Sequence, residues 1–158
     1  MMHAGEVIIS QVSAQEITFH GEQLYPEECC GMLLGTYSDN MRSIAQMLPL
    51  ANSDVNNRKN RFLLTPEQYT IAEKHARERR LELLGIYHSH PNHPAMPSQF
   101  DRMYALPWFV YLIVPVEEKH AKKMTAWVLN EDRSRFIEQR IIMHTMALQG
   151  STINSLFE

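Results

Sequence analysis

Apolar and polar positions alternate along this chain in short blocks, most of which have the length of a strand. Glu6 to Ile9 and the apolar run from Cys29 to Gly35 each predict a strand. Ile44 to Leu50 predicts the hairpin partner of the second strand, with Ser38-Asp39-Asn40 as the turn. The same pattern predicts four later strands, at Leu83 to His88, Phe109 to Val114, Met124 to Leu129 and Phe136 to Ile142.

Two longer segments carry capping residues followed by helical periodicity. Ser10 can cap a helix that runs to about Leu24. The apolar side of that helix is predicted to hold Val12, Ile17 and Leu24. Thr65-Pro66-Glu67-Gln68 is a capping box with proline at the first helical position, and it predicts a helix that ends near Arg80.

The interleaving of strands and helices predicts a layered α/β domain. We find no internal repeat and no linker, so residues 1–158 are interpreted as one domain with a core over about 6–142. The tail from 143 to 158 has an ambiguous pattern. Hydrophobic residues make up 44% of the chain and charged residues 21%, which is ordinary globular composition and argues against long disorder.

Charge and terminal composition exclude several classes of protein. A net charge of −3 without a clustered basic stripe argues against a nucleic-acid-binding protein. The N-terminus lacks the pattern of a signal peptide, and no apolar run approaches the roughly 20 residues that span a bilayer. The only cysteines, Cys29 and Cys30, are adjacent and therefore poor disulfide partners. We expect a cytoplasmic protein with no membrane partner.

The segment from His88 to Asp101 carries the candidate chemistry. Residues two apart on a strand face the same side, so His88 and His90 can project together from the end of the strand. Three prolines then turn the chain, and Ser98 caps a helix that runs to about Ala105. Asp101 lies in the first turn of this helix and can return to the strand end. Two imidazoles and one carboxylate predict a catalytic zinc site with its fourth position open for water.

Each part of this pattern has an ordinary structural explanation when it is taken alone. A His-x-His pair is more often two strand residues than two ligands, and Ser98-x-x-Asp101 is more often only a helix cap. The combination with this spacing is expected by chance on the order of once in several thousand chains of this size, assuming average composition. The combination therefore favours a metal site. The residues themselves would also accept other divalent ions.

The motif resembles the signature of the JAMM (MPN-plus) metallopeptidases. His88-Ser89-His90-Pro91 and Pro97-Ser98-Gln99-Phe100-Asp101 match its metal element, and Pro26-Glu27-Glu28-Cys29-Cys30-Gly31 matches its upstream glutamate element. The resemblance extends from about Val7 to Ile142. It implies a mixed β-sheet flanked by helices, related to the cytidine deaminase-like fold, and hydrolysis of a peptide or isopeptide bond.

The resemblance also implies a role for each site residue. His88, His90 and Asp101 would bind Zn²⁺, Glu28 would move the proton of the metal-activated water to the leaving amine, and Ser98 would stabilise the oxyanion. Glu27 is the alternative base, because neighbours on an extended segment face opposite sides. Four further candidates, His93, Met96, Cys29 and Cys30, are interpreted as structural or exposed residues. As alternatives, His93 and Met96 could contact substrate, and Cys29 could bind metal.

The compact chain resembles the stand-alone prokaryotic branch of this family. Some members of that branch process ubiquitin-like or sulfur-carrier proteins at a C-terminal Gly-Gly, and others are associated with phage tail assembly. We expect such a substrate tail to bind as an added strand. A RadC-like DNA-repair-associated protein and a non-catalytic MPN scaffold are the alternative interpretations, and a homodimer is left open.

Overall fold

The computed structural model describes residues 5–145, which form three helices and one eight-stranded sheet. The helices are α1 (Gln11–Leu24), α2 (Pro66–Glu78) and α3 (Gln99–Tyr104). The strands are β1 (Glu6–Ser10), β2 (Cys30–Ser38), β3 (Met41–Leu50), β4 (Glu82–Pro91), β5 (Val110–Glu117), β6 (His120–Ala121), β7 (Thr125–Leu129) and β8 (Phe136–His144). The predicted mixed α/β class is confirmed.

The sheet curls so that β4, the strand at one edge, also pairs with β5 near the opposite edge. Its strand order is β4-β2-β3-β1-β8-β7-β5-β6, and β4 also pairs in parallel with β5. Gly85 permits this closure, because a Cβ atom at this position would lie 1.9 Å from the carbonyl oxygen of Val110 on β5. A side chain would separate the two strands at this point. The parallel pairing of β4 with β5 fixes the strand that carries both motif histidines.

Two apolar cores lie on opposite faces of this sheet. The first contains Ala14 and Ile17 of α1 together with inward residues of the curled strands, such as Val7 and Leu112. The second lies under α2 and contains Ala72 and Ala76 of that helix. Leu84 and Tyr87 of β4 lie in the first core and Ile86 lies in the second, so this strand is buried on both sides.

One prediction for α1 is only partly confirmed, because Ile17 is buried as expected but Val12 and Leu24 are not. Its buried side consists of Ser13, Ala14, Ile17 and Gly21, whereas Val12 and Leu24 are exposed. The helix packs so closely that a Cβ atom on Gly21 would lie 3.2 Å from Val116. Apart from Ile17, small residues therefore face the sheet, and hydrophobicity alone does not identify them.

The other elements follow the sequence closely. Ser10 accepts a hydrogen bond from the Ser13 amide, and Thr65 and Gln68 form the predicted capping box of α2. This helix ends at Glu78, two residues earlier than predicted. The two-residue strand β6 was not predicted, because its length is below what a hydrophobic period can reveal. Part of the unassigned tail continues β8, and residues 146–158 lie outside the described part of the chain.

Across residues 5–145, no helix is long and apolar enough to cross a membrane.

Candidate metal centre

The end of β4 presents two imidazoles to the same side. His88 and His90 are fully buried, and their Nε2 atoms lie 3.2 Å apart. The intervening Ser89 points to the other face, where its Oγ accepts a hydrogen bond from the Cys29 amide at 2.8 Å. Tyr87 also lies on that face, and its hydroxyl bonds His20 Nδ1 at 2.8 Å. Strand alternation therefore produces the predicted pair.

The third group of the site, the carboxylate of Asp101, is positioned by the start of α3. The Ser98 amide donates to Asp101 Oδ2 at 2.8 Å, and the Asp101 amide donates to Ser98 Oγ at 3.0 Å. This is a reciprocal capping box with Asp101 at its third helical position. The same Oδ2 atom faces the two histidines. Asp101 therefore belongs to the capping box of α3 and also faces the candidate metal site, so the two roles are compatible.

The three candidate ligand atoms form a nearly equilateral triangle. Asp101 Oδ2 lies 3.3 Å from His88 Nε2 and 3.2 Å from His90 Nε2. A tetrahedral zinc site with bonds of about 2.0–2.1 Å requires a separation of about 3.3 Å between ligand atoms. The residues present therefore fit a zinc ion in both donor type and spacing. Three protein ligands leave the fourth tetrahedral position available, which is the arrangement of catalytic rather than structural zinc.

Hydrogen bonding orients the imidazole of His90. Its Nδ1 lies 2.7 Å from the Pro94 carbonyl oxygen, so Nδ1 carries the proton and Nε2 offers its lone pair to the triangle. His88 Nδ1 is buried and has no partner among the described residues, and the His88 ring packs 4.7 Å from that of Phe62. Burial opposes ionisation of Asp101, but His88, His90 and the Ser98 amide hold the pKa of this carboxyl well below its usual range.

Glu28 lies beside the triangle as a buried carboxylate without a full set of partners. It is 1% exposed, and its Oε1 has no hydrogen-bond partner among the described residues. A Glu28 oxygen lies within 4.8 Å of a ring nitrogen of His90. Burial raises the pKa of Glu28 to about 8. Glu27 is half-buried and does not enter this cluster, which agrees with the predicted choice between the two glutamates.

His93 lies in the site, although the sequence interpretation favoured an exposed loop residue. Its ring stacks on that of His90 with centroids 4.1 Å apart, and its Nε2 lies 4.0 Å from Glu28 Oε2. Burial and the adjacent His90 lower the pKa of His93. The only sequence signal that pointed to a role for His93 was its position between His90 and Asp101. The turn that brings residue 93 back over residue 90 depends on the bend of the chain around Pro91 and Pro94, which periodicity does not describe.

The remaining candidates lie outside the triangle. Ser98 is half-buried, and no acceptor for its hydroxyl proton is found among residues 5–145. Cys29 and Cys30 are buried thiols, and burial raises the pKa of Cys29 to about 12, so neither is a ready metal ligand. Met96 is 62% exposed.

The unpartnered Glu28 carboxylate predicts an effect on the stability of the metal-free protein. A carboxyl whose pKa rises on folding from 4.5 to about 8 stabilises the fold below pH 4.5 and progressively loses that contribution up to pH 8. Glu28→Gln is therefore expected to raise the free energy of unfolding at pH 7 by up to about 3 kcal/mol. Urea denaturation from pH 5 to pH 8 measures this, and the difference should grow with pH. Glu27→Gln is the matched control; an equal response in the two variants would contradict the prediction.

The chain is similar to known proteins over most of its length. Residues 10–130 match the family model for prokaryotic homologues of the JAB domain. The chain is 31% identical over 116 residues to Desampylase of Pyrococcus furiosus, covering 73% of this chain and 76% of that protein. It is 28% identical over 104 residues to Tail tip assembly protein K of Escherichia phage N15, covering 63% of this chain but only 38% of the phage protein.

Two solved structures share the fold over most of their length. A protein from Desulfitobacterium hafniense superposes with a TM-score of 0.77 at 28% identity, covering 88% of this chain and 93% of its own. A protein from Salinibacter ruber superposes with a TM-score of 0.68 at 38% identity, covering 86% and 90% respectively. The family model covers more than half of the chain, and it agrees with the resemblance of the motif. The protein therefore belongs to the prokaryotic JAB-domain branch of the JAMM family.

Proposed function

We propose that the protein is a zinc-dependent peptidase or isopeptidase that cleaves after the C-terminal Gly-Gly of a ubiquitin-like or sulfur-carrier protein. The observation that carries the proposal is the buried triangle of His88, His90 and Asp101 with the Glu28 carboxylate beside it. Family membership and the similarity to Desampylase support the substrate class. A non-catalytic scaffold would not require a complete ligand set, and the net charge of −3 argues against a RadC-like DNA-repair-associated protein.

The residues supply a complete set of groups for amide hydrolysis. A zinc ion held by the triangle would lower the pKa of a bound water and polarise the scissile carbonyl. Glu28 would accept the proton of the attacking water and deliver it to the leaving nitrogen. Its place beside the triangle suits both steps, because a carboxylate there can accept one proton and then release it. The free hydroxyl proton of Ser98 would be donated toward the developing oxyanion.

An apolar cavity beside Asp101 supports the binding of an extended tail. Its volume is about 460 Å³, and it lies between the segment before α2 and helix α3. Apart from Asp101, its walls are mainly apolar and aromatic, and they include Phe62, Leu64, Phe100, Tyr104, Leu106 and Tyr111. A cavity of this kind suits the aliphatic side chains of a tail whose last residues reach the metal centre.

The segment from Arg61 to Leu64 supports the expectation that the tail binds as a strand. The amide and carbonyl of Leu63 bond to the Asn52 side chain and the Ser53 amide. In an extended segment, the N–H and C=O groups of one residue point to the side opposite those of its two neighbours. Phe62 and Leu64 border the cavity, and their main-chain groups have no partners among residues 5–145. This segment is a free edge to which a substrate strand can add.

Cleavage of a defined substrate tests this function. The zinc-loaded protein is incubated with a ubiquitin-like protein that carries a peptide extension after Gly-Gly, and with the same protein in which Ala-Ala replaces Gly-Gly. Intact-mass spectrometry is expected to show cleavage after Gly-Gly in the first substrate only, and no cleavage after the metal is removed by chelation. Cleavage at other bonds, or cleavage that persists without metal, would contradict the proposal.

A further inference from the structure

Asn52 lies two residues beyond the end of β3 and joins two parts of the site that are distant in sequence. Its side chain is inside the protein, with the residue only 7% exposed. The Nδ2 group donates to the Glu28 carbonyl at 3.2 Å and to the Arg61 carbonyl at 3.0 Å. The Oδ1 atom accepts from the Asp54 amide at 3.0 Å and from the Leu63 amide at 3.2 Å.

These four bonds use the whole hydrogen-bonding capacity of the side-chain amide. A primary amide has two N–H donors and an oxygen with two lone pairs. The isosteric residue Asp offers the oxygen lone pairs but no donor. At position 52 it would direct a carboxylate oxygen at the carbonyls of Glu28 and Arg61, which also accept. The pattern of partners therefore requires an amide at this position and excludes a carboxylate of the same shape.

The main chain of Glu28 is held from both sides by the same loop. Its carbonyl accepts from Asn52, and its amide donates to the Arg58 carbonyl at 2.7 Å. Asn52 also holds Leu63, the central residue of the free edge formed by Phe62 and Leu64. The carboxylate of Glu28 has no comparable anchor, since its Oε1 is unpartnered. The placement of this carboxylate thus depends on the main-chain bonds made by the loop.

We propose that Asn52 is a positioning residue that fixes the distance between the base Glu28 and the edge that receives the substrate tail. This inference rests on the proposed function and identifies how the two halves of that site are kept in register. The zinc ligands lie on β4 and α3 and make no hydrogen bond to Asn52. Loss of the Asn52 amide is therefore expected to disturb catalysis and tail binding while leaving metal binding intact.

The test compares Asn52→Asp with Asn60→Asp, a change of the same chemistry at an exposed residue of the same loop. Within residues 5–145, the Asn60 side chain bonds only Asn57. Two substrates are used: a ubiquitin-like protein with its full tail, and a short Gly-Gly peptide that lacks the tail residues preceding Gly-Gly. A misplacement near 1 Å can lower a rate by about 100-fold. We expect Asn52→Asp to lower kcat/KM on the full tail by at least about 10-fold and to abolish the advantage of the long substrate over the short one.

Amide hydrogen exchange provides a measurement that does not depend on activity. In Asn52→Asp, exchange at the Glu28 and Leu63 amides should accelerate together, with zinc stoichiometry unchanged, whereas Asn60→Asp should behave like the wild type. Unchanged exchange at both amides would overturn the inference, as would an equal loss of activity on the long and short substrates. If the wild type cleaves neither substrate while the two amides respond together, the coupling stands and the proposed function fails.

Discussion

Glu28→Gln is expected to lower kcat/KM by about 1,000-fold or more while the protein still binds one zinc ion. Glutamine has the shape of glutamate but cannot accept the proton of an attacking water. General-base catalysis by a positioned side chain contributes about 100- to 10,000-fold, and Glu28 is proposed to act in two proton transfers. Steady-state cleavage of the extended ubiquitin-like substrate measures the effect.

Glu27→Gln is the matched control for this experiment. It makes the same chemical change one residue earlier, at a half-buried side chain outside the metal cluster. Its kcat/KM is expected to stay within about twofold of the wild type, because the Glu27 side chain lies outside the metal cluster and substitutions away from such features usually have small effects. If Glu28→Gln retained activity while Glu27→Gln lost it, the assignment of the base would be reversed. A similar loss in both variants would indicate a disturbed segment instead of a lost base.

Asp101→Asn is expected to weaken zinc binding by more than about 100-fold and to abolish hydrolysis. Loss of groups that only support a ligand already costs about 10- to 100-fold in metal affinity, and Asp101 is a proposed ligand itself. Asparagine preserves the size of the side chain and can still accept from the Ser98 amide, so the start of α3 should remain folded. What it removes is the negative charge facing His88 and His90.

Competition with a chromogenic chelator measures this change in affinity. Asp132→Asn serves as the control, because Asp132 is an exposed residue that also accepts a main-chain hydrogen bond, from the Ser134 amide. The control should bind zinc like the wild type. Retention of zinc by Asp101→Asn with wild-type affinity would show that the carboxylate is not a ligand and would leave the triangle without its third member.

The parts of the site that depend on local geometry could be predicted from the sequence. Alternation along a strand is enough to place His88 and His90 together, and a capping box is enough to place Asp101 in the first turn of a helix. The identity of Glu28 came from the family resemblance, because an extended segment by itself leaves Glu27 and Glu28 equivalent. Its burial against the triangle supports that choice.

The features that were not predicted depend on contacts between distant parts of the chain. Closure of the sheet follows from the pairing of β4 with β5 at Gly85, which no local period encodes. The stacking of His93 on His90 depends on how the proline-rich turn folds back. Asn52 reads as an ordinary polar residue in a loop, and only the fold brings Glu28 and Leu63 to its two ends.

Anomalous diffraction at the zinc absorption edge, from crystals of the zinc-loaded protein, locates the metal without reference to activity. We expect one strong anomalous peak bound by His88 Nε2, His90 Nε2 and Asp101 Oδ2, with its remaining coordination position on the side of Glu28. A peak bound by Glu28, His90 and His93 instead, which also lie close enough to share an ion, would contradict it. The absence of any peak at the end of β4 would do so as well.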